Sequence, residues 1–240
     1  MKLLIDADFI VYKSCAAAET EIDWGHDVIM VTSKFSDAMN AVTREITKIK
    51  QKFMWDVPEI LLFFSDSINF RKSILSDYKG HRNRKKPCGY KRVINALKDL
   101  HEVIIMPTLE ADDAMGIYAT KHPGNIICSP DKDMRQIPGV LWNLTGDVEE
   151  ITKEDGDRWH LMQSLAGDPT DGYPGCPGIG MKRAGDLLDK SDDPWKAICK
   201  AFKDKGLSED VALMNARLAK ILQHENYDYD RAEPILWNPT

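Results

Sequence analysis

The sequence predicts an α/β fold: a mostly parallel sheet with helices on both faces, followed by a helical extension. Three observations carry this. Short apolar runs recur through the first 150 residues and alternate with segments of helical period. Acids stand just past these runs at Asp6, Asp66, Glu110 and Asp131, and a parallel sheet brings the carboxyl ends of its strands, where functional crevices lie, to one edge. From Thr152 onward the pattern turns helical.

The elements follow in order. Residues 2–6, apolar and ending on Asp6, read as a buried strand. Ser36 is the expected N-cap of an amphipathic helix whose apolar face is Met39, Val42, Ile46, Ile49 and Phe53. Residues 59–64 form a second strand before Asp66, and Val93, Leu97 and Leu100 mark a helix. Residues 103–106 are a third strand. Glu110-Ala111-Asp112-Asp113 then opens a helix over 114–121, in which Asp112 would point away from Glu110 and Asp113 if the helix were regular across all of them. Strands at 125–128 and 140–143 flank Asp131-Lys132-Asp133. Thr152 with Asp155 resembles a capping box for a helix through Ala166. After a glycine-rich turn at 175–180 come a helix over 181–189, another starting at Pro194, and a last one capped by Ser208 and running to His224. Residues 226–240 read as an extended arm packed on the body, and the six tryptophans as core. The expected division is an α/β core over 1–150, a helical unit over 151–225 and the arm.

With 240 residues, 43% hydrophobic and 29% charged, the composition is that of a globular domain with an appendage. No apolar run is long enough to span a membrane, and Asp6 and Asp8 interrupt the first one, against a signal peptide. Five scattered cysteines without Cys-x-x-Cys spacing indicate neither zinc nor a disulfide framework and fit a reducing cytoplasm. The net charge of −6 argues against a polyanion partner only as a sum; setting nine clustered acids aside leaves +3. Between Asp77 and Asp99 there is no acid, while Lys79, Arg82, Arg84, Lys85, Lys86, Lys91, Arg92 and Lys98 fall there. Such a run is either a solvated face or a polyanion contact.

The acids come in groups: Asp6; Asp66; Glu110, Asp112 and Asp113; Asp131 and Asp133; Asp168 and Asp171. Any one alone is more simply a cap or a surface acid. Together in one cleft they would repel unless cations were present, and oxygen-only donors select Mg²⁺ or Mn²⁺. Two such ions would clamp both oxygens of a phosphoryl displacement. Gly178, Ile179 and Gly180 open a helix start carrying Lys182 and Arg183, where backbone N–H groups and charge can hold a phosphate.

In order and spacing, Glu110-Ala111-Asp112-Asp113, Ser129-Pro130-Asp131-Lys132-Asp133 and the stretch from Gly167-Asp168 to Gly178-Ile179-Gly180 resemble the motifs of the flap endonuclease and 5′–3′ exonuclease superfamily. Asp77-Tyr78-Lys79-Gly80-His81-Arg82 is similar to its Tyr-Lys-x-x-Arg segment, and the compact length and tail look most like the exonucleases of T-odd-type bacteriophages. The resemblance implies a PIN-like core, a helix-three-turn-helix and metal-ligand roles for all nine acids. It further implies a basic arch over about 78–98, Lys79 and Arg82 neutralising the scissile phosphate, and Tyr78 stacking on the neighbouring base. Arg84, Lys85 and Lys86 would add backbone contacts. Residues 178–180 with Lys182 and Arg183 would hold the downstream duplex, with K⁺ on backbone carbonyls. The expected function is 5′–3′ hydrolysis, by in-line attack of water, at 5′ ends, nicks or flaps of duplex DNA or in RNA–DNA hybrids, by a monomer.

Two departures from the family pattern, Pro130 before Asp131 and Gly172 after Asp171, remove no ligand. The short span from Arg82 to Glu110, broken by Pro87-Cys88-Gly89, favours work at ends or nicks over threading of a flap. The rivals are a PIN-type ribonuclease, against which the glycine turn counts, and an inactive DNA-binding protein, which would not need acids that repel DNA.

Overall fold

The strand that ends on Asp6 lies inside a six-stranded sheet, with a neighbour on each side. The computed structural model describes residues 1–53, 59–82 and 85–239. The sheet strands are β1 (Lys2–Asp6), β4 (Glu59–Phe63), β5 (Glu102–Ile104), β6 (Ile126–Cys128), β7 (Gly139–Trp142) and β8 (Val148–Ile151), and β2 (Glu19–Asp23) and β3 (Ile29–Ser33) form a separate hairpin. The sheet order is β5-β4-β1-β6-β7-β8, parallel except for β8. Register pairs Asp6 with Phe63 and Ile5 with Cys128, so the carboxyl ends of the three central strands finish level.

Alternation along the strands splits the core between two faces. Leu3, Ile5, Leu62, Phe64, Ile126 and Cys128 pack under α1 (Ala7–Ala17), α2 (Phe35–Lys52), which lies before the short α3 (Arg71–Ile74), and α4 (Tyr90–Leu100). Leu4, Leu61, Phe63 and Ile127 pack under α5 (Ala111–Lys121). Beyond β8, Thr152 and Asp155 form the expected capping box of α6 (Lys153–Ala166). Then come α7 (Met181–Leu188), α8 (Pro194–Lys203) and α9 (Glu209–Ala219), packed around Phe202, Ile198 and Ala184. The arm folds back: Trp237 stacks edge-on against both His160 and Trp195. Among the described residues no helix is long and apolar enough to cross a membrane.

Several expectations are corrected. Lys34, not Ser36, is the N-cap of α2, because the helix starts two residues earlier than expected, at Phe35. The last helix stops at Ala219, well short of His224. The arch expected over 78–98 is curtailed: Tyr90, Val93 and Leu97 are buried in the core, so α4 belongs to the body. Trp24 is 64% exposed at the tip of the β2–β3 hairpin rather than in the core.

Candidate active site

Each of the first acids is placed by backbone hydrogen bonds at the end of a strand or the start of a helix. Asp6 ends β1 and caps α1; its carboxylate accepts from Phe9 N (3.1 Å) and Ser129 Oγ (2.9 Å). Asp66, three residues past β4, accepts from Ser67 N (2.6 Å) and Thr108 N (2.8 Å). Asp131 caps a 3₁₀ turn (Lys132–Gln136) and accepts from Asp133 N at 2.8 Å. Asp168 accepts from Thr170 N at 2.7 Å. These bonds use the orphan N–H groups of helix starts and turns.

The acid helix resolves the ambiguity of its own start. Glu110 is the N-cap of α5 and makes a reciprocal capping box with Asp113. Helical geometry therefore begins at Ala111 and turns Asp112 and Asp113 opposite ways. Asp112 lines the cleft. Asp113 is fully buried: it accepts two hydrogen bonds from Arg71 (2.6 and 2.8 Å) and one from Leu222 N (3.1 Å). With its oxygens so occupied, Asp113 is a structural partner of Arg71, not a metal ligand as the family pattern implied.

The other eight acids line two adjoining cavities of about 970 and 210 Å³ that share Glu110, Asp112 and Asp131. Asp6 and Asp66 lie in the larger; Asp133, Asp168 and Asp171 lie in the smaller. Among the described residues no three acids are already closed to the spacing of a single ion cage; they face one another across a groove.

Two cations bridge them. Lys79 Nζ lies 2.5 Å from Glu110 Oε1 and 3.6 Å from Asp171 Oδ2. Arg82 lies 2.5 Å from Asp171 Oδ1 and also donates to Thr170 O at 2.9 Å. Lys79 has φ +55° and its N–H donates to Asp171 O (2.8 Å), so the turn is latched to the loop that carries Asp171. Tyr78 is only 2% exposed, and its hydroxyl donates toward Glu110 (3.2 Å) and Asp171 (3.0 Å). A ring this enclosed offers no face to a base, so the stacking expectation gives way to a role tying two acids together. Lys85 and Lys86 are exposed, and Lys86 lines the larger cavity beside Tyr90. Arg84 lies outside the described residues.

At the glycine turn, Lys182 and Arg183 are exposed, and Arg183 donates to Gly178 O at 2.8 Å. Gly178 has φ +79°, whereas Gly180, the N-cap of α7, has φ −100°. The conformational need for glycine therefore falls on Gly178. Around Gly180 there is open space, into which any larger side chain would project.

The reading of the sequence missed three groups. Asp8, past the end of the first strand and outside the nine acids grouped above, lines the cleft and accepts from Tyr90 Oη (2.6 Å) and Ser65 N (2.8 Å). Arg71 carried no signal except its place seven residues before Tyr78. Gln163, a buried amide on α6, donates to Asp133 Oδ1 at 2.6 Å.

The electrostatics divide the acids. Burial, and then repulsion from Asp8 and Asp131, raise Asp6 to about 6. Burial, with Asp131 and Asp168 nearby, raises Asp133 to about 7. Asp112 is pushed well up by burial and by Asp6, Asp131 and Glu110. Burial also raises Glu110, but Lys79 and Arg71 outweigh it and hold that carboxyl below its usual range. Burial and mutual repulsion thus raise Asp6, Asp112 and Asp133, while Lys79 and Arg71 hold Glu110 down.

Asp133 gives a test. Unfolded, it ionises near pH 4. Between about pH 4 and 7 the folded chain therefore holds the extra proton, and this group's contribution to stability falls as pH rises. His160, lowered to about 3 by burial and by Lys220, pulls the other way below about pH 6.5, so the group must be isolated by difference. In EDTA, the stability gained by Asp133→Asn over the unaltered chain should grow from pH 5 to 7 and level off above that. Urea midpoints at each pH check this, and a gain that shrinks with rising pH contradicts it.

Comparison with known proteins bears on this geometry. A family model described as the 5′-3′ exonuclease N-terminal resolvase-like domain matches residues 1–155. The exodeoxyribonuclease of Enterobacteria phage T3 is 31% identical, the match covering 99% of this chain and 92% of the relative. The exonuclease of Escherichia phage T7 is 30% identical over 99% and 93%. Among solved structures, the T5 D15 protein co-crystallised with metal ions shares the fold (TM-score 0.70, 14% identity, 91% of this chain and 89% of that one). So does the catalytic core of Rad2 in complex with DNA (TM-score 0.54, 15% identity, 85% and 63%). The chain belongs to the 5′–3′ exonuclease family, and it is a nuclease.

Proposed function

We propose that this nuclease hydrolyses phosphodiester bonds at 5′ ends, nicks or flaps of duplex DNA, and in RNA–DNA hybrids, with two Mg²⁺ or Mn²⁺ ions. The observation that carries the reading is the cleft itself: eight acids and two cations converge beyond the carboxyl ends of parallel strands. The donor set fits the ions. It is all oxygen, and burial, with repulsion from neighbouring acids, raises Asp6, Asp112 and Asp133 above the usual carboxylate range, where bound cations would favour the charged form. Asp6, Asp66, Glu110, Asp112, Asp131, Asp133, Asp168 and Asp171 would hold the ions. Bound there, divalent ions supply Lewis acidity toward water and phosphate.

The chain's own residues do the rest. Lys79 and Arg82 neutralise charge on the phosphoryl oxygens, and the Tyr78 hydroxyl fixes Glu110 against Asp171. Residues 178–180, Lys182 and Arg183 grip the duplex backbone, with K⁺ on the carbonyls of the turn, so recognition follows shape and a 5′ terminus rather than sequence. The truncated arch favours ends and nicks over threading. The α/β part over 1–150 carries most of the catalytic cleft and 151–225 adds Asp168, Asp171 and the duplex grip, in a monomer of the cytoplasm of a bacterial host. The relatives called exodeoxyribonuclease and exonuclease support this reading over the ribonuclease.

Nicked duplex DNA should be cut in Mg²⁺ or Mn²⁺ and left whole in EDTA, with Ca²⁺ supporting binding without turnover. Undiminished cleavage in excess EDTA would end the two-ion account.

A further inference from the structure

We infer that Gln163 is a positioning residue for Asp133, held by a buried amide relay that ends on the backbone just after α9. The inference rests on the proposed ligand role of Asp133. Gln163 Nε2 donates to Asp133 Oδ1 (2.6 Å), and its Oε1 accepts from Gln136 Nε2 (2.6 Å). Gln136 Nε2 also donates to Ala219 O (2.7 Å), its Oε1 accepts from Ile221 N (2.9 Å), and its own carbonyl accepts from Gln223 Nε2 (3.3 Å). Gln136 is fully buried and Gln163 is 3% exposed. Helix α6 presses on the relay closely: a Cβ at Gly156 would stand 2.4 Å from Gln136 O.

Two amides in a core are costly unless their groups are paired. An apolar pair of similar size would fill the same space at less risk. What the relay supplies, and packing cannot, is one directed donor at Asp133. Among the described residues that carboxylate accepts a side-chain or backbone hydrogen bond from Gln163 alone. Asp6, Asp66, Asp131 and Asp168 are held by backbone N–H groups, and Glu110 and Asp171 by cations. A neutral amide fixes one oxygen without placing a positive charge where a divalent ion would sit, and it leaves Oδ2 to the cleft. The far end of the relay is itself anchored. Arg71 donates to Leu218 O (2.9 Å) and Lys220 O (2.5 Å), and Leu222 N donates to Asp113 (3.1 Å). The stretch 218–223 thus ties the carboxylate to the helices beyond it.

The test is Mn²⁺ binding to the full chain by titration calorimetry, without DNA, together with kcat and KM on nicked duplex. Gln163→Met, which keeps length and removes the donor, should weaken Mn²⁺ binding by about 10–100-fold, the usual cost of losing an outer partner of a ligand. It should lower kcat with little change in KM. Gln136→Met frees Gln163 to swing and should give a smaller loss in the same direction, which keeps the test open if Gln163→Met does not fold. Ser164→Ala loses a buried hydrogen bond on the same helix (to His160 O, 2.8 Å) without touching Asp133, and should leave Mn²⁺ affinity unaltered. Affinity within twofold of the unaltered chain in folded Gln163→Met, or an equal loss in Ser164→Ala, would overturn the inference. Asp131→Asn and Asp168→Asn run alongside. If both retain Mn²⁺ binding and cleavage, the metal reading fails and this inference with it; if both lose them while Gln163→Met does not, the relay alone is wrong.

Discussion

Asp113→Asn should cost the protein about 3–5 kcal/mol of stability, the usual penalty for breaking a buried ion pair from one side, because it strands the fully buried Arg71 guanidinium. Asp112→Asn, one residue away, should do the reverse. It removes a carboxylate that burial and three neighbouring acids already disfavour, so the metal-free protein should hold or gain stability. Its cleavage should fall by more than about 100-fold, the upper cost of losing even an outer partner of a metal ligand. Urea unfolding and cleavage rates measured on both variants separate the two roles. Asp113→Asn retaining full stability, or Asp112→Asn retaining full activity, would mean that the helix presents the wrong residue to the cleft.

Lys79→Ala should lower kcat by about 10²–10³, the typical worth of one positioned charge at a developing negative charge, and should change duplex affinity far less. Lys79 lies between Glu110 and Asp171 at the bottom of the cleft, held in a left-handed conformation by the bond from its own N–H to Asp171 O. A residue so confined would act on the reacting phosphate rather than along the duplex, as proposed above. Lys85 and Lys86, which are exposed, should show the opposite pattern: weaker binding, with the salt dependence flattened by about one unit of slope per lost phosphate contact. A Lys79 variant with unchanged kcat and a raised KM would remove Lys79 from the chemistry.

The parts of this site that could be read from sequence are those fixed by local rules. A carboxylate after an apolar strand must emerge at the sheet edge, so Asp6, Asp66 and Asp131 could be placed from pattern alone. Thr152 and Asp155 announced their helix because a capping box needs only four residues. The parts that escaped depend on partners far along the chain. Asp112 and Asp113 exchange roles because Arg71, about forty residues earlier, claims Asp113. Tyr78 is enclosed by acids from two distant segments. The β2–β3 hairpin carries its apolar residues exposed, so burial patterning could not find it. Asp8 stands past the strand end and so lay outside the grouped acids, yet α1 begins at Ala7 with no loop after β1, and the first turn of that helix keeps Asp8 in the cleft. Gln163 had no signal, since nothing in a sequence marks a glutamine as a hydrogen-bond donor to a carboxylate thirty residues before it.

The proposed function is the cutting of duplex DNA at a 5′ terminus by one cleft, with the glycine turn gripping the duplex. It is tested most directly by sizing the products from 5′-labelled nicked and 5′-flap duplexes of several sequences in Mg²⁺, beside single-stranded RNA of matched length, for the unaltered chain and for Gly178→Val. The expected result is short 5′ products from the duplexes, the same whatever the sequence, abolished by EDTA and strongly depressed by Gly178→Val. Efficient cutting of the unstructured RNA, unaffected by Gly178→Val, would contradict it.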